Sequence, residues 1–127
     1  MGQLICVIED NVPIRKLFCT LLKKNGLDTA DFGDGTSGLN WLSQNKPDLL
    51  IVDILLPDMN GSEIMQTVRK TENGKTMPII AATGFAQAND REKYLEMGFD
   101  SYISKPINTS TFVQDIKLVI EEKKQMK

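Results

Sequence analysis

Four strand-like segments of this chain each run into a residue able to do chemistry. LICVI leads to Glu9–Asp10, DLLIV to Asp53, MPIIAA to Thr83 and DSYIS to Lys105. Three carboxylates gathered in one place repel one another and raise each other's pKa unless a cation sits among them. Oxygen donors without histidine or cysteine select a hard ion, Mg²⁺ or Mn²⁺. Octahedral Mg²⁺ keeps several waters, so two carboxylates and a carbonyl suffice to hold it. A carboxylate beside such an ion can act as a nucleophile toward phosphorus and become an aspartyl phosphate. The metal and an ammonium would then neutralise the charge of the transferring group. Asp53 is the candidate nucleophile. It interrupts the apolar run LLIVDILLP at a strand tip, and Pro57 turns the chain away from it.

For these residues to meet, the segments before them must be strands of one sheet. LICVI, DLLIV and MPIIAAT are short apolar runs of the kind buried on both faces of a parallel sheet. LDTADF alternates like a less buried edge strand, and DSYISK reads as the last strand. Between them lie helical patterns. Ile14, Leu17, Phe18, Leu21 and Leu22 follow a start at Asn11 and Pro13 and stop at Gly26. TSGLNWLSQN is a second helix, and Gly61 to about Thr71 a third, with Ile64, Met65 and Val68 on one face. A fourth runs from about Ala88 to Met97. Asn108 or Thr109 caps the last, which turns Phe112, Ile116, Val119 and Ile120 inward. Five βα units with short connections imply one α/β domain, a parallel sheet covered by helices on both faces. In such sheets ligands bind beyond the carboxyl ends of the strands, where the four chemical segments end.

Composition narrows the function. With 15 Lys plus Arg against 17 Asp plus Glu, the net charge of −2 argues against a nucleic-acid surface. The 127 residues contain no histidine, which removes Ser-His and Cys-His catalysis, most zinc sites and a phosphohistidine carrier. No apolar stretch approaches the length of a membrane span, and the N-terminus lacks a signal-peptide layout. Gly2 is followed by Cys6 where myristoylation wants Ser or Thr. The expectation is a cytoplasmic protein whose Cys6 and Cys19 are reduced core residues. The sequon Asn108-Thr109-Ser110 reads as a helix cap.

The acidic pair in VIEDN, the motif LLIVDILLPDMNG, the Thr of IIAATGF and the run YISKPI together resemble the receiver domains of bacterial two-component response regulators. The resemblance extends over essentially the whole chain, residues 1–127, and is nearest to stand-alone and hybrid-kinase receivers. It implies the flavodoxin-like (βα)5 doubly wound sheet of strand order 2-1-3-4-5, an order shared with chemotaxis receivers. It implies that Asp53 accepts a phosphoryl group from a partner histidine kinase or phosphotransfer protein. It places Mg²⁺ on Asp10, Asp53 and the backbone carbonyl of Leu55, with Glu9 assisting through water. Thr83 and Lys105 would contact the phosphoryl oxygens, and Lys105–Pro106 would be a cis peptide. Thr83 and Tyr102 would form the switch that biases a face made of the fourth helix, fifth strand and fifth helix. Leu55 and Phe85, each two residues beyond Asp53 and Thr83, would flank the path of the water that attacks the aspartyl phosphate. Both are bulky and apolar, so slow self-dephosphorylation is expected. With no output domain after the last helix, signalling would pass through protein contacts. The chain would be no enzyme beyond its own phosphorylation and dephosphorylation.

Three other readings compete. GDGTSG spells the glycine pattern of a dinucleotide-binding turn, but the strand before it reads as an edge. A small aspartyl-phosphate phosphatase would need a second Asp two residues after Asp53, where Leu55 stands. A receiver used as a constitutive protein-binding module would not need the intact acidic, Thr and Lys set.

Overall fold

The computed structural model describes residues 3–84 and 90–125. Strands and helices alternate throughout: β1 (Leu4–Ile8), α1 (Val12–Lys24), β2 (Asp28–Phe32), α2 (Gly35–Leu42), β3 (Leu49–Asp53), α3 (Gly61–Arg69), β4 (Ile79–Thr83), α4 (Asp90–Met97), β5 (Ser101–Ser104) and α5 (Phe112–Gln125). The strands form one parallel sheet in the order β2-β1-β3-β4-β5. Every residue of β3 and β4 is buried, as expected for strands covered on both faces, whereas β2 at the edge is only partly so.

The two-residue period of the strands divides the core in two. Ile5, Val7, Leu49, Ile51, Ile80 and Ala82 face α1 and α5, meeting Phe18, Leu22, Phe112, Ile116 and Ile120. Phe18 and Phe112 stack at 4.9 Å between ring centroids and join those two helices. Cys6, Ile8, Leu50, Val52, Ile79 and Ala81 face the other way, onto Ile64, Met65, Val68 and Tyr94. Each large side chain buried this way contributes about 1.5–3 kcal/mol. Cys6 and Cys19 lie in opposite halves, both buried and unbridged, and burial pushes both thiols up.

Helix termini follow side-chain chemistry. The Asn11 carboxamide accepts the Ile14 amide and Pro13 fills the first turn of α1. At its other end Gly26 takes a φ of 83°, and the Leu27 amide reaches back to the Leu22 carbonyl. Two boundaries differ from expectation. Helix α2 stops at Leu42 rather than continuing through Asn45, because the Ser43 hydroxyl and the Asn45 side-chain amide bond to the Asn40 and Trp41 carbonyls. Asn108 opens a turn instead of capping α5 directly. Its carboxamide oxygen accepts from the Ser110 amide and hydroxyl, and its carbonyl accepts from the Thr111 and Phe112 amides where the helix begins. The expected start of the fourth helix at Ala88 lies outside the described residues.

The register then aligns the strand tips. Ile8 pairs with Val52, Asp53 with Ala82, and Thr83 with Ser104, so Glu9, Asp53, Thr83 and Lys105 share one rim.

Candidate phosphoacceptor and metal site

Glu9, Asp53 and Thr83 are the buried polar or charged residues of the described chain. With Asp10, Asn11, Ile14, Leu55, Gly84 and Lys105 they line an open cavity of about 240 Å³. Glu9, Asp10 and Asp53 can each present a carboxylate oxygen so that all three atoms lie within 4.8 Å of one another. The Lys105 ammonium bridges two of them, at 2.9 Å from Glu9 Oε1 and 3.2 Å from Asp53 Oδ2. Asp53 Oδ1 accepts the Leu55 amide at 3.2 Å, and Glu9 Oε2 accepts the Asn11 amide at 3.1 Å.

Electrostatics follow from this geometry. Burial, and the neighbouring Asp53, push the Glu9 carboxyl up to about 7 against the opposing pull of Lys105. Burial works against the Lys105 charge, but Glu9 and Asp53 more than compensate and hold its pKa above the ordinary lysine value. One ammonium does not balance three acids. The donor set is oxygen only and its surplus charge is negative, so it fits a hard divalent cation.

Local sequence explains the placement. The Asp53 backbone lies against the start of α3, where a Cβ on Gly61 would collide with the Asp53 carbonyl oxygen. Only glycine lets the helix begin this close, and the Gly61 amide donates to the Ile54 carbonyl at 2.8 Å. The intervening loop is tied sideways by Asp58, whose carboxylate accepts the Gly35 and Thr36 amides and the Thr36 hydroxyl at 2.6–2.9 Å. Those bonds, the hydroxyl first, hold the Asp58 carboxyl down at about 2. Asp34 caps the same helix from its own side by accepting the Ser37 amide. The first amides of α2 therefore already face two carboxylates, which would repel a pyrophosphate. This and the edge position of β2 agree with setting aside the dinucleotide reading of GDGTSG.

The other anticipated residues are placed as follows. The Lys105–Pro106 peptide is cis. Tyr102 is half-buried on β5, its ring 6.0 Å from that of Tyr94 on α4. Leu55 is 55% exposed at the cavity mouth, so it does not cap the core. Phe85 lies outside the described residues. Glu9, expected to assist the metal through water, has a side chain 1% exposed and bonded to Lys105, 96 positions along the chain. Arg15 and Asp58 were not anticipated, and Asn11 only as a helix start. Arg15 Nη1 donates to the Glu9 carbonyl at 2.9 Å, a contact no sequence period reveals.

Strand order and a rim of carboxylates with one lysine define a flavodoxin-like α/β domain with an acidic pocket at the carboxyl ends of its strands. Comparison with known proteins makes the class definite. Residues 5–117 match the response regulator receiver domain family, and the chain belongs to it. It is 33% identical over 117 residues to the polar-differentiation response regulator DivK of Brucella anthropi, covering 92% of this chain and 95% of that protein. DivK of Brucella ovis is 34% identical over the same length. Among solved structures, a CheY-like receiver domain protein of Methanospirillum hungatei superposes with a TM-score of 0.89 at 26% identity, covering 100% of both chains. The receiver domain of the sensor histidine kinase PA1611 from Pseudomonas aeruginosa superposes with a TM-score of 0.86 at 28% identity, covering 95% of this chain and 99% of that one. That structure has a magnesium ion coordinated in its active site cleft. Receiver domains are phosphorylated by histidine kinases and are typically not classical enzymes. Among the described residues, no helix is long and apolar enough to cross a membrane.

Proposed function

We propose that residues 1–127 act as a phosphoacceptor switch in which Asp53 takes a phosphoryl group from the phosphohistidine of a partner kinase or phosphotransfer protein. The supporting observation is the pairing of a buried Asp53 with Lys105 inside a cluster of three carboxylates. Asp10, Asp53 and the Leu55 carbonyl would hold Mg²⁺, with Glu9 acting through water. When bound, the metal supplies positive charge to the transferring phosphoryl oxygens. An Asp53 carboxylate oxygen forms the new bond to phosphorus as the phosphorus–nitrogen bond of the donor breaks, and the electron pair leaves with the imidazole. The Lys105 ammonium is close enough to follow the charge onto the new phosphoryl oxygens. Thr83 lines the same cavity from the next strand tip, and its hydroxyl would contact the same group.

Thr83 and Tyr102 form the switch. Its output is a protein partner on the α4–β5–α5 face, where Arg91, Tyr102, Ile107 and Asp115 help line a cavity of about 380 Å³. The reaction is a self-modification in a cytoplasmic signalling protein, with no direct nucleic-acid contact and no membrane insertion. Incubation with a small phosphodonor and Mg²⁺, followed by intact mass, is expected to add one phosphoryl group to wild type and none to Asp53→Ala. No labelling with or without Mg²⁺ would favour the constitutive binding module, and equal labelling of the two would put the phosphoryl group on a residue other than Asp53.

Leu55 leaves an apolar group over the mouth of the site. Substituting Leu55→Asn together with Phe85→Glu supplies polar groups able to orient water. The aspartyl phosphate is expected to decay roughly 10-fold faster, less than the about 10²-fold at which a fully positioned acid–base group begins, because the new groups only orient water. An unchanged decay, followed by loss of the added mass after donor removal, would exclude any tuning role for these positions.

A further inference from the structure

We propose that Arg15 is a positioning residue of the cation site, held by Asp31 and accommodated by Gly33. The inference rests on the reading of Asp10 and Asp53 as metal ligands and adds a support that the ligand set does not contain. Asp10 is exposed, so burial does not fix its direction. Its backbone, however, follows the Glu9 carbonyl through one planar peptide, and the orientation of that plane sets where the Asp10 side chain leaves the chain. The Glu9 unit is tethered at both ends. Its amide donates to the Phe32 carbonyl at 3.0 Å, and its carbonyl accepts from Arg15 Nη1 at 2.9 Å.

The guanidinium is itself oriented. Its Nε donates to Asp31 Oδ2 on β2 at 3.1 Å, so one planar group spans α1, β2 and the tip of β1. A Cβ on Gly33 would lie 2.7 Å from Arg15 Nη1, so the glycine keeps open the space the guanidinium fills. Partners that orient metal ligands in this way typically change affinity by about 10–100-fold when removed.

Charge and positioning predict opposite signs, which makes the inference testable. Removing a cation beside an acidic rim, by charge alone, tightens divalent-cation binding. Removing a strut loosens it. Calorimetric titration of the metal-free chain with Mg²⁺, alongside metal-free melting, is expected to show roughly 10-fold weaker binding for Arg15→Met. Arg15→Lys, which reaches one partner and not both, is expected to fall between. Gly33→Ala leaves every charge in place and is expected to weaken binding too, but to add nothing in the Arg15→Met background. Should Arg15→Met not fold, Gly33→Ala alone decides. Wild-type chain that fails to bind Mg²⁺ removes the ligand reading itself. Wild-type binding with unchanged or tighter affinity in Arg15→Met, or in Gly33→Ala where Arg15→Met does not fold, overturns the positioning role and leaves the ligand reading standing.

Discussion

Lys105→Met is expected to slow phosphorylation of Asp53 by about 10²–10³-fold at saturating Mg²⁺, the usual cost of deleting one preorganised charge at a site of developing negative charge. The side chain is 14% exposed and donates to both Glu9 and Asp53, so no water shell can replace it without opening the rim. Methionine preserves the length and the apolar stem and removes only the ammonium. Glu9 and Asp53 then face one another without a counter-charge, which raises the electrostatic demand for a divalent cation. Mg²⁺ affinity should therefore hold or rise while the rate falls. Lys105→Arg retains the charge but replaces a compact ammonium by a planar fork, and should recover part of the rate. Rates read from intact mass against time with a small phosphodonor, with folding checked by circular dichroism, decide the matter. A Lys105→Met rate within a few-fold of wild type would show that the ammonium takes no part in the transfer.

The same lysine marks the limit of what sequence carries. Its place at a strand tip was legible, because apolar runs of five residues flanked by helical periods fix a parallel sheet, and the chemical residues come just past each run. The edge character of β2 was legible from its alternation. What sequence could not give was which tip groups pair. Glu9 and Lys105 are separated by nearly the whole chain, and only the register Ile8–Val52, Asp53–Ala82 and Thr83–Ser104 brings them together. Asp58 and Arg15 escaped for a related reason. Each acts across elements, Asp58 onto the amides of α2 and Arg15 onto the β1 tip and β2; Arg15 shares the helical face of Phe18, Cys19 and Leu22, but a period does not name its partners. The ends of α2 and the start of α5 moved because single side chains took backbone groups that propensity assigns to the helix.

A second network of this kind lies at the opposite end of the sheet, and its loss is expected to be a large stability effect. Asp100 precedes β5. Its Oδ2 accepts from the Ile79 amide and from Arg69 Nη2, both at 2.8 Å, and its Oδ1 accepts from Lys123 Nζ at 2.7 Å. Arg69 continues the network to the carbonyls of Gly74, Met77 and Gly98. One carboxylate thus joins the end of α3, the start of β4 and the last turns of α5. Its side chain is 18% exposed, so the bonds are largely shielded from water. Asp100→Ala strands the Ile79 amide at a buried strand and leaves two cations side by side without their shared partner. The expected cost is about 3 kcal/mol, the lower range for breaking a shielded ion pair. Asp100→Asn keeps an acceptor for the Ile79 amide and loses the charge, so about 1 kcal/mol is expected. Urea unfolding of the metal-free chain measures both. Phosphorylation of Asp53 in the folded variants should be unaltered, because the network and the acidic rim lie at opposite ends of the strands. An Asp100→Ala midpoint indistinguishable from wild type would show that α5 is held to the sheet by the Phe18–Phe112 side of the core alone.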